Sequence, residues 1–256
     1  MKNKLTKIKP DPCFHRSSTK LHSRTIEYSF AIEVYSNEKN ILDLGSAKAN
    51  KEWLRWLSTI PAKVVYADFD YPESKKIIKS FVRLDSMSLP FKSESFDLVY
   101  AISFIEHVGL EFSQVLGDKK PKKDDKGDLK TLKELKRVVK KGGKIVLTFP
   151  FGKRSKLFGK DARIYSLKDI ENFNKIIGDS EVYYYEYLPE NLKLKGQKKI
   201  IKRLKTIIDF IGADLKIPLY IDYGGEVNWL NLDINNVSSM NNGFIDGVLC
   251  GIWRKR

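Results

Sequence analysis

Four short apolar runs in the first half of the chain each stop at a polar residue, and this repeated ending constrains the fold more than any other feature. "NILDLG" stops at Asp43 and Gly45, "KVVYADFD" at Asp68, "FVRLDSMSLPF" at Asp85, and "SFDLVYAISFIEHV" passes Ser103. Such runs read as short buried strands. Between the first two, "NKEWLRWLSTI" places Trp53, Leu54, Trp56, Leu57 and Ile60 at helical spacing. Further on, "DLKTLKELKRVVKK" sets Leu129, Leu132, Leu135, Val138 and Val139 on one helical face over residues 128–141. Asp128 is its expected N-cap, and Gly142 with Gly143 its expected stop. "KIVLTFPF" is a fifth strand, a helix is expected over Leu167 to Ile177, and "EVYYYEYL" and "DGVLCGIWRK" are the last two strands. Strands alternating with helices in this way predict an α/β fold with a doubly wound, mostly parallel, seven-stranded sheet.

The flanks are less regular. Residues 1 to about 20 carry no apolar period and read as a loose arm. "SRTIEYSFAIEVYS" then predicts a helix bearing Ile26, Phe30, Ile32 and Val34. The last two strands lie too far apart for a hairpin loop, which predicts an insertion before the last strand. Four parts follow: an N-terminal arm and helix (1–37), the α/β core (38–188), an insertion or lid that helps form the acceptor region (189–245), and the final core strand (246–256). Inside the insertion, Ile200, Ile201, Leu204, Ile207, Ile208 and Ile211 oppose Lys198, Lys199, Lys202, Arg203 and Lys205. Such a helix packs on the core as a lid with its lysines in water, or rests through 198–211 on an acidic membrane surface.

Charge and composition bound the partners. Lys and Arg number 47 against 32 Asp and Glu, a net charge of +15. That excess favours an anionic partner such as nucleic acid, acidic lipid or a charged substrate, or reflects a lysine-rich solvated surface. No apolar run approaches the roughly 20 residues that span a bilayer. "MKNKLTKIKPDPCFHRSS" is basic without the apolar block of a secretory signal, which predicts a cytoplasmic protein. Cys13, Cys250, His15, His22 and His107 fall in no metal-ligand spacing, so neither a metal nor a disulfide framework is expected.

In an open parallel sheet, ligands bind beyond the carboxyl ends of the strands. The polar residues above fall at those ends. Asp68, 25 residues after Asp43, is placed to accept both hydroxyls of a ribose. Asp85 with Ser86 can bond an adenine edge, and Phe69 or Met87 can supply an apolar face. One acid would say little, since loops are rich in Asp; the ordered set says much more.

These stretches together resemble the class I S-adenosylmethionine (SAM)-dependent methyltransferases, of the type 11 kind. "ILDLGSAKAN" resembles the first motif and "KVVYADFD" the second. "FVRLDSMSLPFKSESFDLVYAISFIEHV" resembles the adenine loop and fourth strand, and "LKELKRVVKKGGKIVLTFPFG" the helix and strand that follow. The likeness covers about residues 24 to 165. It implies a Rossmann-like fold, SAM as cofactor, and Asp43, Gly45, Ser46, Asp68, Phe69, Asp85, Ser86 and Ser103 as the residues that hold it. One departure stands out: Ala47 and Ala49 occupy places where the family carries glycines. A pyrophosphate demands close backbone approach, whereas SAM has no phosphate. Either alanine would be unfavourable only where positive φ is required.

"RTIEYSFAIE", "EHVGL" and "FPFGK" before "RIYSL" also resemble a prokaryotic subgroup taken to act on sugars or surface polysaccharide precursors. That likeness implies Arg24, Glu27, Arg163 and Tyr165 near the acceptor, which would be a small or glycan-type molecule methylated on a hydroxyl oxygen. His107 is the expected general base, with Glu106 and Glu111 as substitutes, because an imidazole can take a proton near neutral pH. Two other readings stay open. An RNA methyltransferase is favoured by the charge and by "KKPKKDDKGDLK", although the Asn-Pro-Pro-Tyr type of motif is absent and neither cysteine is well placed to attack a pyrimidine ring. A methyltransferase-like binding protein without catalysis is favoured by the two alanines.

Overall fold

The computed structural model describes residues 5–14, 23–74, 76–78, 80–111, 123–189, 227–237 and 247–255. Helix α1 is Arg24–Val34, and strand β1 (Asn40–Leu44) follows it. Helix α2 (Lys51–Thr59) leads to β2 (Lys63–Asp68), β3 (Phe81–Arg83) and β4 (Phe96–Ile102). Helix α3 (Gly127–Val138) runs directly into β5 (Val139–Pro150). A hairpin of β6 (Lys156–Phe158) and β7 (Ala162–Ile164) precedes α4 (Leu167–Ile177). The last strands are β8 (Ser180–Pro189), β9 (Val227–Leu232) and β10 (Gly247–Arg254).

The main sheet has eight strands in the order β3-β2-β1-β4-β5-β10-β8-β9. Strands β1 to β5 pair in parallel, while β10 runs antiparallel to both β5 and β8. The chain leaves β1 towards β2 and β3 on one side and returns to β4 and β5 on the other. The carboxyl ends of β1 and β4 therefore flank the switch point where such sheets bind ligands.

Alternation along β1 divides the interior. Ile41 joins Trp53, Tyr66, Leu98, Tyr100 and the apolar side of α1 on one face, while Leu42 and Leu44 join Val99, Leu132, Leu135, Phe149 and Phe173 on the other. Period two thus sends Asp43 to the same side as Ile41, towards α2.

Four expectations need correction. The sheet has one strand more than seven, because β9 pairs antiparallel along β8. "VNWLNL" falls within the expected insertion (189–245); it gains a full pairing because β8 would otherwise expose its hydrogen-bonding edge. Helix α3 starts at Gly127, so Asp128 is inside it; its carboxylate meets the Leu129 amide (2.8 Å) and the Tyr165 hydroxyl (3.1 Å). The same helix ends at Val138, before the two glycines. Val139 pairs with Phe96 and Lys144 with Leu98, so the residues between them loop out of β5, with Gly142 at φ +74°. The arm is docked over its described part: Leu5 and Phe14 are buried, and the Tyr185 hydroxyl donates to the Leu5 carbonyl at 2.5 Å. The amphipathic stretch 198–211 lies outside the described residues.

Candidate functional site

The turn after β1 is built around one glycine. Gly45 has φ +88°, and a Cβ added there would lie 3.0 Å from the Phe104 ring. Its amide donates to the Ala67 carbonyl at 2.9 Å, which ties the turn to β2. The turn continues as a single 3-10 turn, Ser46–Lys48, and Ala49 has φ −66°. Among the described residues the non-glycine positions with positive φ are Asn37, Glu94 and Ser103. Neither alanine of the motif is therefore strained, and the departure from the family pattern carries no backbone cost. Asn50 then caps α2, its side chain accepting from the Glu52 and Trp53 amides.

Asp43 sits under this turn. Its Oδ2 accepts from Ser46 Oγ at 2.7 Å and its Oδ1 from Trp53 Nε1 at 3.2 Å. Burial pushes its carboxyl up to about 7, against the pull of those two bonds. At the end of β2, Asp68 accepts the Ala47 amide on Oδ2 (3.0 Å) and the Asp70 amide on Oδ1 (3.1 Å). Burial raises its carboxyl too, with the amides drawing it back. The Phe69 amide bonds the same carboxylate, so three of about four lone-pair positions are taken and one is left for a ribose hydroxyl. Asp70 binds Lys48 at 3.1 Å and so buttresses the turn from below. Phe69 is half-buried; its carbonyl accepts from Arg83 Nε, and the guanidinium lies 4.3 Å from the Tyr71 ring centroid.

At the next strand ends, Asp85 is half-buried and accepts the Met87 amide at 2.9 Å. Ser86 is buried, its hydroxyl 3.0 Å from that of Thr131 on α3. The cradle therefore has a glycine close approach, an acid at the end of β2 and another after β3, and these residues fit a nucleoside-bearing cofactor.

A second, buried polar group lies past β4. Ser103 has φ +45°, a left-handed conformation costly for a residue with a Cβ and found at functional turns. Its amide is held by Thr148, and its hydroxyl donates to Glu27 Oε1 at 3.0 Å. The Thr148 hydroxyl donates to the same oxygen at 3.0 Å. Glu27, fully buried, pairs with Arg24 at 2.5 Å through Oε2. The Arg24–Glu27 pair thus docks α1 onto β4 and β5.

Next in the chain come Glu106, 2% exposed, and His107, whose side chain is 32% exposed. His107 Nδ1 lies 2.5 Å from the Asp161 carbonyl. A carbonyl only accepts, so Nδ1 carries the hydrogen and, in the neutral ring, Nε2 keeps the lone pair. That nitrogen is 3.8 Å from Glu106 Oε1. Glu111 is exposed and lies 3.7 Å from Lys123.

Arg163 and Tyr165 are placed differently from Arg24 and Glu27. Arg163 donates to the carbonyls of Glu106, Val108 and Asp125, and its Nε is 3.6 Å from Asp128. Tyr165 donates to Asp128 at 3.1 Å. Both are buried and brace the loop that carries Glu106 and His107. Residues that sequence reasoning passed over include Phe104, which closes on Gly45, and Thr148, which shares Glu27 with Ser103. Phe104 had a signal in its position two residues past the end of β4; Thr148 lies mid-run in an apolar strand and had none.

Residues 42–147 match the family described as Methyltransferase domain. No curated protein matches the chain in sequence. Among solved structures, the YcgJ protein from Bacillus subtilis is 15% identical with a TM-score of 0.50, over 90% of this chain and 98% of that one. The cyclase SpnF is 14% identical with a TM-score of 0.51, over 94% and 84% of the two chains. A SAM-dependent methyltransferase from Thermotoga maritima is 14% identical with a TM-score of 0.47, over 90% and 88%. At such identities the first two likenesses speak for the fold, and a cyclase among them shows that the fold alone does not name the reaction. The sheet order and the residues at its strand ends agree with the family match, which identifies residues 42–147 as a methyltransferase domain.

Proposed function

We propose that the chain methylates a hydroxyl oxygen of a small or glycan-type acceptor, with His107 as the destination of the acceptor's proton. SAM supplies an electrophilic methyl group on a sulfonium. The protein's own residues position and deprotonate. In this reading Asp68 receives the ribose hydroxyls, Asp85 the adenine edge, and the Gly45 turn approaches the rest of the cofactor. Displacement at carbon needs nucleophile, methyl and sulfur in line, so alignment is the main contribution. The observation that carries the reading is the His107 ring: the Asp161 carbonyl orients it, Nε2 faces Glu106, and it is partly open to water. Residues 38–188 act as the cofactor core, and 189–245, with the N-terminal arm, as the acceptor side.

Calorimetric titration with SAM tests the foundation; no heat at millimolar ligand would sink the proposal. His107→Ala should then slow methyl transfer by about 100-fold, in the usual range for a lost proton acceptor, while SAM affinity changes little. Equal losses in both would make the residue positional.

One observation favours the RNA reading. Residues 153–160 are exposed throughout and carry Lys153, Arg154, Lys156 and Lys160 beside Leu157 and Phe158. Cations around an exposed ring suit a single-stranded nucleic acid. Binding of a mixed RNA pool that falls steeply with salt, and that Phe158→Ala weakens, would move the acceptor to that class. Among the described residues no helix is long and apolar enough to cross a membrane, and no group of three or more His, Cys, Asp or Glu could hold a metal ion.

A further inference from the structure

We infer that Glu106 is the group that receives the proton-bearing atom of the methyl acceptor, so the acceptor offers an O–H or N–H there and not an anionic carboxylate or phosphate oxygen. The inference rests on the methyl-transfer reading above and narrows its substrate class. Three observations carry it.

First, Glu106 is 2% exposed and its Oε2 is buried without a hydrogen-bond partner. Buried carboxylate oxygens are almost always satisfied, and the exceptions cluster where a ligand completes the set. Second, the cations near Glu106 compensate it only in part and none bonds its Oε2. Arg24 is near, but Glu27 takes its charge at 2.5 Å; Tyr165 is near and donates to Asp128. His107 faces the other oxygen at 3.8 Å, beyond hydrogen-bond reach. The local balance of Arg24, Glu27 and Glu106 is one negative charge. An anionic acceptor would set like charges together out of water, whereas a hydroxyl or amine brings the missing donor. Third, the position fits. Glu106 follows Ser103 and Phe104 at the end of β4, and Phe104 closes on the Gly45 turn. Its loop is braced by Arg163, which holds its backbone carbonyl.

The step balances without a further reagent. The acceptor atom bonds to the methyl carbon as the carbon–sulfur bond breaks, its electron pair remaining on sulfur. The acceptor's proton goes to Glu106 Oε2, which here takes the place given above to His107, and passes to water when the product leaves. Burial raises the Glu106 carboxyl, with His107 and Arg24 drawing it back, and a raised carboxylate is the stronger base.

The test uses full-length protein and SAM tritiated on the methyl group, incubated with water-soluble and lipid extracts of the source cells. Methyl ethers and methylamines survive mild alkali and carboxylic methyl esters do not; methyl phosphates also survive, so phosphorus on the methylated group of the labelled product, read by mass spectrometry, counts against the inference as alkali-labile label does. Wild type should give alkali-stable label. Glu106→Gln, which keeps the shape, should lower the labelling rate by about 100-fold or more with SAM affinity within about twofold by calorimetry. Alkali-labile label, or Glu106→Gln at the wild-type rate, would overturn the inference and leave methyl transfer standing. Should Glu106→Gln not bind SAM, Glu106→Asp is read in its place: slowed alkali-stable transfer supports the assignment and full rate refutes it. No label in any extract from SAM-bound wild type would instead bring down the methyl-transfer reading, and this inference with it.

Discussion

The two ends of the parallel strands treat their acids in opposite ways. At the amino-terminal end Asp97 meets Lys140 at 2.7 Å, Glu38 meets Lys144 at 2.5 Å, and Glu94 meets Lys255 at 3.0 Å. Burial pushes Asp97 up, but the bonds from Lys140 and Asn40 win and hold it below the usual carboxylate range. At the carboxyl-terminal end Asp43 and Asp68 meet amides, a hydroxyl and an indole, and Glu106 meets a distant imidazole. All three are raised, by burial first. Lysines hold the acids of one end in their charged form; at the other end burial disfavours the charge and neutral donors draw it back only in part. The chain's +15 is therefore a poor guide to this end of the sheet, which gathers acids.

Four changes would break or sharpen that contrast. The largest effect is expected at the turn itself. Gly45→Val puts a branched side chain at φ +88° and against Phe104, so SAM binding should fall below detection in a titration while the rest of the sheet still folds. Full affinity would remove the turn from the site. Asp68→Ala deletes a charged acceptor and should weaken SAM by about 2–3 kcal/mol, about 30- to 150-fold. Unchanged affinity would refute the cofactor placement.

Asp43→Asn separates the two ends through pH. The folded carboxyl lies near 7, above its unfolded value, so the native state holds more protons between those two values. Wild-type stability from this group is fully present below about 4 and declines as pH rises to about 7. Relative to wild type, Asp43→Asn should therefore gain on the order of 3 kcal/mol between pH 4 and pH 7.5 in urea unfolding. A flat difference would mean that Asp43 ionises normally. The smallest effect, of opposite sign, is expected at the other end. Asp97→Asn should cost about 1 kcal/mol at neutral pH, a modest figure because the pair is partly exposed. The cost should shrink as acid protonates wild-type Asp97, whose folded value is depressed. A cost that grew in acid would contradict the pairing.

The strand-end residues were legible because their signals are local. Asp43, Gly45, Asp68, Asp85 and Ser103 each stand at the end of an apolar run, and a strand's end is visible in sequence. The groups past β4 were less legible. Arg24, Glu27, Arg163 and Tyr165 entered as one set, yet the first two join the buried group past β4 and the last two brace its loop. Glu106 entered only as a substitute for its neighbour, since nothing near it in sequence says that it is buried and His107 partly open. Boundaries failed where a distant partner overrode a local signal. Val139 joined β5 because Phe96 was there to pair with, so the two glycines became a bulge in a strand and not the end of a helix.

By itself the sequence determined the alternation of strand and helix, the residues at each strand end and hence the class of fold. Periodicity and turn chemistry act over a few residues and can be read along the chain. The tertiary structure alone decided that Ala47 and Ala49 are unstrained, that β9 completes an eight-stranded sheet, and that Glu106 keeps an unpartnered oxygen. Backbone angles, edge pairing and burial depend on residues far away in sequence that meet only when the sheet closes.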